Sequence, residues 1–132
     1  MTAAYIEELL RANPSVQEVW LIGSRATGSA TRRSDWDYIV IADQMTLQNL
    51  AADLRFNDPR VDLLVVYDGD NFRKPWPDGD RQKRGSLSGW DWQRTSDREA
   101  VYRATKPRDD DDFYSSIIPG RAIRIYPPGP PI

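Results

Sequence analysis

The stretch that decides the fold is Gly23-Ser24, ten residues from Arg25 to Ser34, and then Asp35-Trp36-Asp37-Tyr38-Ile39-Val40. The Gly-Ser pair closes a short apolar, β-rich run, which is typical of a buried strand ending at a glycine. The aspartates open a second run of the same kind. Because alternate side chains of a strand face the same way, Asp35 and Asp37 are predicted to point together and Trp36 to the opposite side.

Around this stretch the spacing of apolar residues predicts alternating helices and strands. The predicted elements are a helix over about 2–12, a strand over 16–22, a loop with a short helix over 23–34, a strand over 38–41, a helix from Thr46 to about 57, and a strand over 61–67. This order indicates an α/β or α+β fold, a small mixed β-sheet flanked by helices.

The second half of the chain is harder to interpret. Residues 68–89 are rich in Gly, Pro and charge and are expected to form a long loop or insertion. Ser96 with Glu99 fits a capping box that opens a helix to about 105. A further helix is expected to start near Asp109, because acids favour helix N-termini, and Ala122 to Tyr126 is predicted as a final edge strand. We expect one domain over residues 1–126, with 68–114 as a poorly matched segment and 127–132 as a Pro-rich tail.

The composition excludes several kinds of chemistry. The 132 residues contain no cysteine and no histidine, which rules out disulfides, thiolate zinc sites, cysteine nucleophiles and serine–histidine triads. Acid–base or metal chemistry must therefore use carboxylates, with help from Lys, Tyr or Ser. The net charge of -2 gives no global reason to expect nucleic-acid binding. There is no membrane-length apolar run and no secretory pattern, so we expect a cytoplasmic location and no membrane partner.

The carboxylates themselves predict a metal site. Asp35 and Asp37, held side by side, would repel each other unless a cation lay between them. Oxygen-only ligands suit Mg²⁺, which also bridges to substrate phosphates. Asp62 is the only charge in its apolar strand, and burying it is costly unless it is paired or metal-bound. One magnesium site accounts for all three acids.

Gly23 and Ser24 predict the other half of that site. A glycine lets the backbone approach a phosphate closely, and the Ser24 hydroxyl can add a hydrogen bond. Arg25 could donate to a phosphate oxygen as a fork, or it could simply hold the loop. Together these residues would hold a nucleoside triphosphate between the Gly-Ser turn and two Mg²⁺ ions, arranged for attack at the α-phosphorus.

These motifs resemble the minimal nucleotidyltransferases, the smallest members of the DNA-polymerase-β-like nucleotidyltransferase superfamily. The family pattern is Gly-Ser, about ten residues, Asp-x-Asp and a third acid on a later strand, which here matches Asp62. The resemblance implies the nucleotidyltransferase fold, with Asp35 and Asp37 as metal ligands, Asp62 as third ligand or base, and Gly23 and Ser24 as the triphosphate cradle. The chain departs from many relatives by having Thr27 where they have Arg.

The resemblance also implies a reaction, the transfer of a nucleoside monophosphate, most simply AMP from ATP, to an acceptor hydroxyl. A chain of this length has no room for the helical domain with which larger members hold a drug or tRNA, so we expect a protein acceptor, as for antitoxins that adenylylate a toxin. The alternatives are a catalytically weak binding module, or nucleotide addition to RNA or a small molecule. Trp76, Trp90 and Trp92 lie among basic residues and could either stack on a nucleic acid or form a small satellite core.

Overall fold

The computed structural model describes residues 2–77, 83–108 and 111–128. The helices are α1 (Thr2–Ala12), α2 (Ser24–Thr27) and α3 (Gln44–Ala51), with 3-10 turns at Leu54–Phe56 and Ser88–Trp90. The strands are β1 (Glu18–Ile22), β2 (Trp36–Ile41), β3 (Val61–Val66), β4 (Asn71–Arg73), β5 (Arg84–Ser86), β6 (Gln93–Arg94), β7 (Glu99–Arg108) and β8 (Asp111–Tyr126). None of the helices in these ranges combines the length and apolar content needed to cross a membrane.

The strands form one eight-stranded sheet in the order β5-β4-β3-β2-β1-β8-β7-β6. Within the described residues β2 and β3 run parallel, joined through α3, and the other neighbouring strands pair antiparallel. A parallel pair needs a long crossover connection, which α3 and the following 3-10 turn supply here. The predicted mixed sheet is confirmed, although it is larger than expected and carries few helices.

One face of the sheet is covered by helices α1 and α3. Leu9 of α1 and Leu50 of α3 are fully buried and pack with Tyr38, Val40 and their neighbours on the strands. The alternation of β2 and β3 therefore sends Tyr38, Val40, Leu63 and Val65 toward the helices. The residues between them must face the other side.

Among the described residues, aromatic side chains cover that other face, and one of them, Trp90, comes from the 3-10 turn at Ser88–Trp90. Ile39 and Leu64 pack there with Tyr102 of β7, and Trp90 and Trp92 lie over the cluster as half-buried residues. Asp37 and Asp62 share the parity of Ile39 and Leu64 on their strands, so they belong to this face. The predicted flanking of the sheet by helices thus holds for one face only.

The helix predicted to start at Thr46 begins earlier, and Thr46 is not its cap. The Asp43 carboxylate accepts hydrogen bonds from the Thr46 amide at 2.8 Å and from the Thr46 hydroxyl at 2.7 Å. Asp43 is therefore the N-cap of α3, because a carboxylate three residues ahead satisfies the open amide of the first turn. The regular helix ends at Ala51, and the 3-10 turn replaces its predicted continuation to 57.

The predicted helix from Ser96 to about 105 is wrong. Residues 99–108 form β7, in which Ala100 and Tyr102 are buried at every second position, the period of a strand. The Ser96–Glu99 pattern makes a turn rather than a capping box, since the amides of Thr95 and Ser96 donate to the Glu99 carbonyl at 2.9 and 3.2 Å.

The remaining predictions for the second half also change. Residues 71–73 and 84–86 of the expected loop pair with each other as β4 and β5. Residues 111–126 are strand rather than helix, and residues 109 and 110 lie outside the described residues. The predicted edge strand at Ala122–Tyr126 is the end of β8, which lies inside the sheet between β1 and β7 because both pair with it. Of the predicted tail, residues 129–132 lie outside the described ranges.

Candidate active site

Asp37 and Asp62 lie side by side at the start of the parallel strands β2 and β3. They are direct partners in the register, and both are half-buried on the aromatic face. Burial raises the pKa of Asp37, the negative charge of Asp62 raises it further, and the charge of Asp35 acts in the same direction. The structure thus holds two neighbouring carboxylates, and the ionised form of Asp37 is disfavoured by its neighbours.

Asp35 lies just outside β2 and is exposed. The Trp36 amide donates to the Arg60 carbonyl at 2.9 Å, which fixes the entry into β2 beside β3. Trp36 packs against the helix-side core, as the predicted alternation requires. Asp35 therefore lies at the same strand end as Asp37, on the solvent side and outside the strand.

Asp62 has a partner that the sequence did not reveal. The Lys83 ammonium lies 2.5 Å from Oδ2 of Asp62, while Oδ1 of Asp62 is buried without a hydrogen-bond partner within the described residues. Lys83 also acts to lower the pKa of Asp37, against the effect of burial. The ion pair therefore supplies one positive charge to an acidic cluster whose carboxylate oxygens are only partly satisfied.

Gly23 contacts Asp37 from the β1 side of β2, whereas Asp62 lies on the β3 side. Strand β1 pairs antiparallel with β2 so that Ile22 lies opposite Asp37, and Gly23 follows directly. Gly23 adopts φ +73°, and a Cβ built on it would collide with Oδ2 of Asp37. Only glycine satisfies both the left-handed backbone and the close approach to the carboxylate.

Ser24 begins α2, and Arg25 is occupied by the loop that follows. The Arg25 guanidinium donates to the Ser34 carbonyl at 2.9 Å and lies 3.9 Å from the centroid of the Trp36 ring. It also reaches the Thr31 carbonyl at 3.4 Å. These contacts correspond to the loop-holding alternative for Arg25, although they involve carbonyls and a ring rather than an acid.

Tyr102 is a further residue at the site that sequence reasoning missed. Its hydroxyl accepts a hydrogen bond from the Gly23 amide at 3.0 Å, across 79 positions of sequence. Burial raises the pKa of Tyr102, the Gly23 hydrogen bond opposes that shift, and the charge of Asp37 adds to it. Tyr102 therefore stays protonated near neutral pH and lies next to the Gly23–Asp37 contact.

The three tryptophans Trp76, Trp90 and Trp92 pack against other side chains of the protein. Trp76 is buried in the helix-side core, and its indole N–H donates to the Leu50 carbonyl at 2.8 Å. Trp90 and Trp92 stack on Tyr102, with ring centroids 5.3 and 5.9 Å away. For Trp90 and Trp92 these contacts fit the satellite-core interpretation, whereas Trp76 belongs to the main helix-side core.

A cleft of about 520 Å³ opens beside Asp62, and its lining residues include Asp35, Asn57, Asp58, Asp62, Lys74 and Lys83. Its volume is within the roughly 300–1,000 Å³ typical of ligand sites. Because β1 and β3 flank β2, this cleft and the Gly23 turn lie on opposite sides of Asp37. The acids thus stand between a glycine turn and an open, mixed-charge cleft.

The donor chemistry of this cluster suits a divalent cation. Asp35, Asp37 and Asp62 offer only oxygen, Asp62 Oδ1 has no described partner, and the charges of the other two acids raise the pKa of Asp37. Among the described residues, however, no three acidic side chains are already grouped as the ligands of an ion. Asp62 would have to exchange Lys83 for the ion to complete the set.

Comparison with known proteins gives one family. The model of the family described as "Polymerase beta, Nucleotidyltransferase" matches residues 5–73, which include the Gly23 turn and all three aspartates. Neither the search of curated proteins nor that of solved structures returned a match. The matched residues end in β4, so β5 to β8 and the aromatic cover lie beyond them.

Proposed function

Because the chain belongs to the polymerase beta nucleotidyltransferase family, we propose that it transfers a nucleoside monophosphate, most simply AMP from ATP, to an acceptor hydroxyl. Membership of this family supports nucleotidyl transfer as the general activity and a nucleotide as the class of substrate. The observation that supports this proposal most directly is the register of Asp37 with Asp62, with Gly23 against the Asp37 carboxylate.

The proposed reaction gives different roles to the Gly23 turn and to the cleft beside Asp62, which lie on opposite sides of Asp37. The acceptor oxygen attacks the α-phosphorus, the bond from that phosphorus to the bridging oxygen of the β-phosphate breaks, and pyrophosphate leaves with the bond electrons. The acceptor proton passes to a carboxylate or to water. In-line displacement requires acceptor and leaving group on opposite sides of the phosphorus. Gly23 and Ser24 would hold the leaving phosphates, and the cleft beside Asp62 would admit the acceptor.

Asp35, Asp37 and Asp62 would hold the metal ions. Mg²⁺ bound there would neutralise the triphosphate and the carboxylates together and polarise the α-phosphate. Asp62 serves either as a third ligand or as the base that takes the acceptor proton, and in both roles it must part from Lys83. Arg25 already donates to the Thr31 and Ser34 carbonyls, so we assign it to holding the loop and leave the phosphate to Gly23 and Ser24.

We further propose that the acceptor is a hydroxyl on a partner protein, as in an antitoxin that adenylylates its toxin. The cleft beside Asp62 supports this, because it is open and large enough to receive a side chain. Nucleotide addition to RNA is a second candidate, supported by Lys74 and Lys83 in the same cleft, which could contact phosphates. A binding module with little catalysis is a third, supported by the Asp62–Lys83 pair, which balances Asp62 without a metal.

One experiment separates these candidates. The protein is incubated with cell lysate, MgCl₂ and ATP labelled at the α-phosphate, beside an Asp35→Asn/Asp37→Asn variant, and label is measured in the protein and RNA fractions. The proposal predicts label in a protein, absent with the variant. Label in RNA, with binding that weakens steeply as salt rises, would replace the protein acceptor by RNA. No label in either fraction and no Mg²⁺-dependent ATP binding would leave the binding module.

A further inference from the structure

The hydrogen bond between Tyr102 and Gly23 links the site to the part of the chain that the family model does not match. Tyr102 lies on β7, and the matched segment ends at residue 73. Its hydroxyl accepts from the Gly23 amide at 3.0 Å, directly beside the contact between Gly23 and the Asp37 carboxylate. The amide of the glycine in the Gly-Ser motif is therefore held by this tyrosine.

The ring of Tyr102 is fixed on several sides. It stacks nearly parallel to Trp90 and to Trp92, at interplanar angles of 21° and 17°. Its cross-strand neighbour on β8 is Gly120, where any Cβ would collide with the phenol ring and its hydroxyl. The residue as a whole is only 6% exposed, so the hydroxyl has little freedom to leave Gly23.

The residues that hold the Tyr102 ring all lie beyond the segment matched by the family model. Trp90, Trp92, Tyr102 and Gly120 belong to the 3-10 turn, the chain after it, β7 and β8. Phe72 extends the aromatic row by packing edge-on against Trp90, with the ring centroids 4.8 Å apart. Phe72, Trp90 and Tyr102 thus form a continuous series of contacts that begins in the matched segment, passes through the unmatched one and ends at Gly23.

We propose that Tyr102 is a positioning residue for nucleotidyl transfer: its hydroxyl fixes the Gly23 turn against Asp37, so that β7, β8 and their aromatic cover complete the active site. The inference rests on the proposed function for its catalytic consequence. Its structural part, the control of the Gly23 amide by Tyr102, stands on the hydrogen bond and the packing alone. Tyr102 acts through Gly23 and does not itself take part in bond making.

The test compares Tyr102→Phe with Tyr5→Phe. Tyr5 is a matched control because its hydroxyl also bonds a backbone group, the Phe56 carbonyl at 2.7 Å, on the face of the sheet opposite to Gly23, Asp37 and Asp62. Both variants keep the ring and lose one hydroxyl. Two quantities are measured on the full chain: the exchange rate of the Gly23 amide proton by NMR, and kcat and KM with ATP and Mg²⁺.

For Tyr102→Phe we expect the Gly23 amide to exchange about fivefold faster, the effect of one lost hydrogen bond. We expect kcat to fall roughly tenfold or more with KM for ATP changed less, since misplacing a reacting group costs mainly turnover. Tyr5→Phe should leave both within about twofold, because its hydroxyl bonds the Phe56 carbonyl and makes no contact with the Gly23 turn.

Two results would overturn the proposal. The first is a Gly23 amide that exchanges at the wild-type rate in Tyr102→Phe. The second is a kcat that falls equally in both tyrosine variants, which would reflect general loss of stability. If the wild type transfers no nucleotide at all, the proposed function fails and the catalytic part of this inference fails with it, while the amide exchange still decides whether Tyr102 fixes the turn.

Discussion

Asp37 and Asp62 are register partners on the two parallel strands of the sheet, so their carboxylates emerge on one face at one strand end. Two aspartates so placed raise the free energy of the folded chain unless something positive stands with them. Lys83 supplies one such charge, at 2.5 Å from Asp62. A bound cation and a phosphate at the Gly23 turn would balance the remaining negative charge of the two aspartates.

Replacing Gly23 by Ala should disable the site. The added Cβ would meet Asp37 Oδ2, and the backbone at φ +73° disfavours any side chain. We expect ATP binding in the presence of Mg²⁺ to weaken at least roughly tenfold, and the free energy of unfolding to fall by about 1–3 kcal/mol. Calorimetric titration and urea unfolding measure the two effects.

Gly28→Ala is the matched control for that substitution. Gly28 has a similar φ of +81°, but among the described residues, its own chain neighbours apart, no atom lies within 4 Å of its added Cβ. It should show the backbone cost without the loss of nucleotide binding. Equal losses of binding in the two variants would show that the contact between Gly23 and Asp37 has no special role.

Lys83→Met should strengthen Mg²⁺ binding. Removing the ammonium leaves Asp62 Oδ2 without its competitor for the ion, and the pair is half-exposed, so the gain is modest. We expect an affinity about two- to fivefold higher, corresponding to roughly 0.4–1 kcal/mol. Arg55→Met, which removes the exposed pair with Asp53, should leave Mg²⁺ affinity unchanged. Weaker Mg²⁺ binding by Lys83→Met would contradict the competition between Lys83 and the ion.

Arg25→Lys distinguishes a loop-holding residue from a phosphate ligand. Lysine keeps the charge but lacks the planar fork that meets the Ser34 carbonyl and covers Trp36. We expect faster hydrogen exchange at Ser34, whose amide bonds the Thr31 carbonyl, with KM for ATP within about threefold of wild type. A large rise in KM with unchanged exchange would instead assign Arg25 to the phosphates.

Sequence reasoning could single out the three acids as candidates because their signals are local. Strand alternation around Trp36 places the flanking aspartates, and the lone charge in β3 identifies Asp62. The missed residues depend on distant pairing. Lys83 meets Asp62 across 21 positions, and Tyr102 meets Gly23 across 79. No local pattern predicts such contacts.

The incorrect prediction of a helix from Ser96 to about 105 has a related cause. Ser96 followed by Glu99 fits a capping box, and the short window after it contains enough helix-compatible residues to agree. The pairing of β7 with β8 and the burial of Ala100 and Tyr102 override this weak local preference. The error concerned the part of the chain that supplies Tyr102, which is why the tyrosine could not be placed.

Asp43→Ala tests the observed cap of α3. Losing the carboxylate leaves the Thr46 amide and hydroxyl without their acceptor and should cost about 1 kcal/mol. Asp97→Ala, at an exposed position between β6 and β7, should cost less than about 0.5 kcal/mol.

The capping role of Asp43 also predicts how the free energy of unfolding depends on pH. Hydrogen bonds from Thr46 lower the pKa of Asp43 in the folded protein. Its contribution is therefore complete above the unfolded pKa of about 3.9 and is lost as the pH falls through the lower folded value. Urea unfolding at pH 7 and in strong acid should show the difference between wild type and Asp43→Ala shrinking in acid. A difference that stays constant would contradict the capping role.

The most direct test of nucleotidyl transfer at the carboxylate pair compares ATP labelled at the α-phosphate with ATP labelled at the γ-phosphate. The purified protein is incubated with each, with Mg²⁺ and with the acceptor fraction, beside Asp37→Asn. We predict that only α-label reaches the acceptor, that pyrophosphate is released in equal amount, and that Asp37→Asn loses at least roughly a hundredfold in rate. Transfer of γ-label, or undiminished α-transfer by Asp37→Asn, would contradict the assignment.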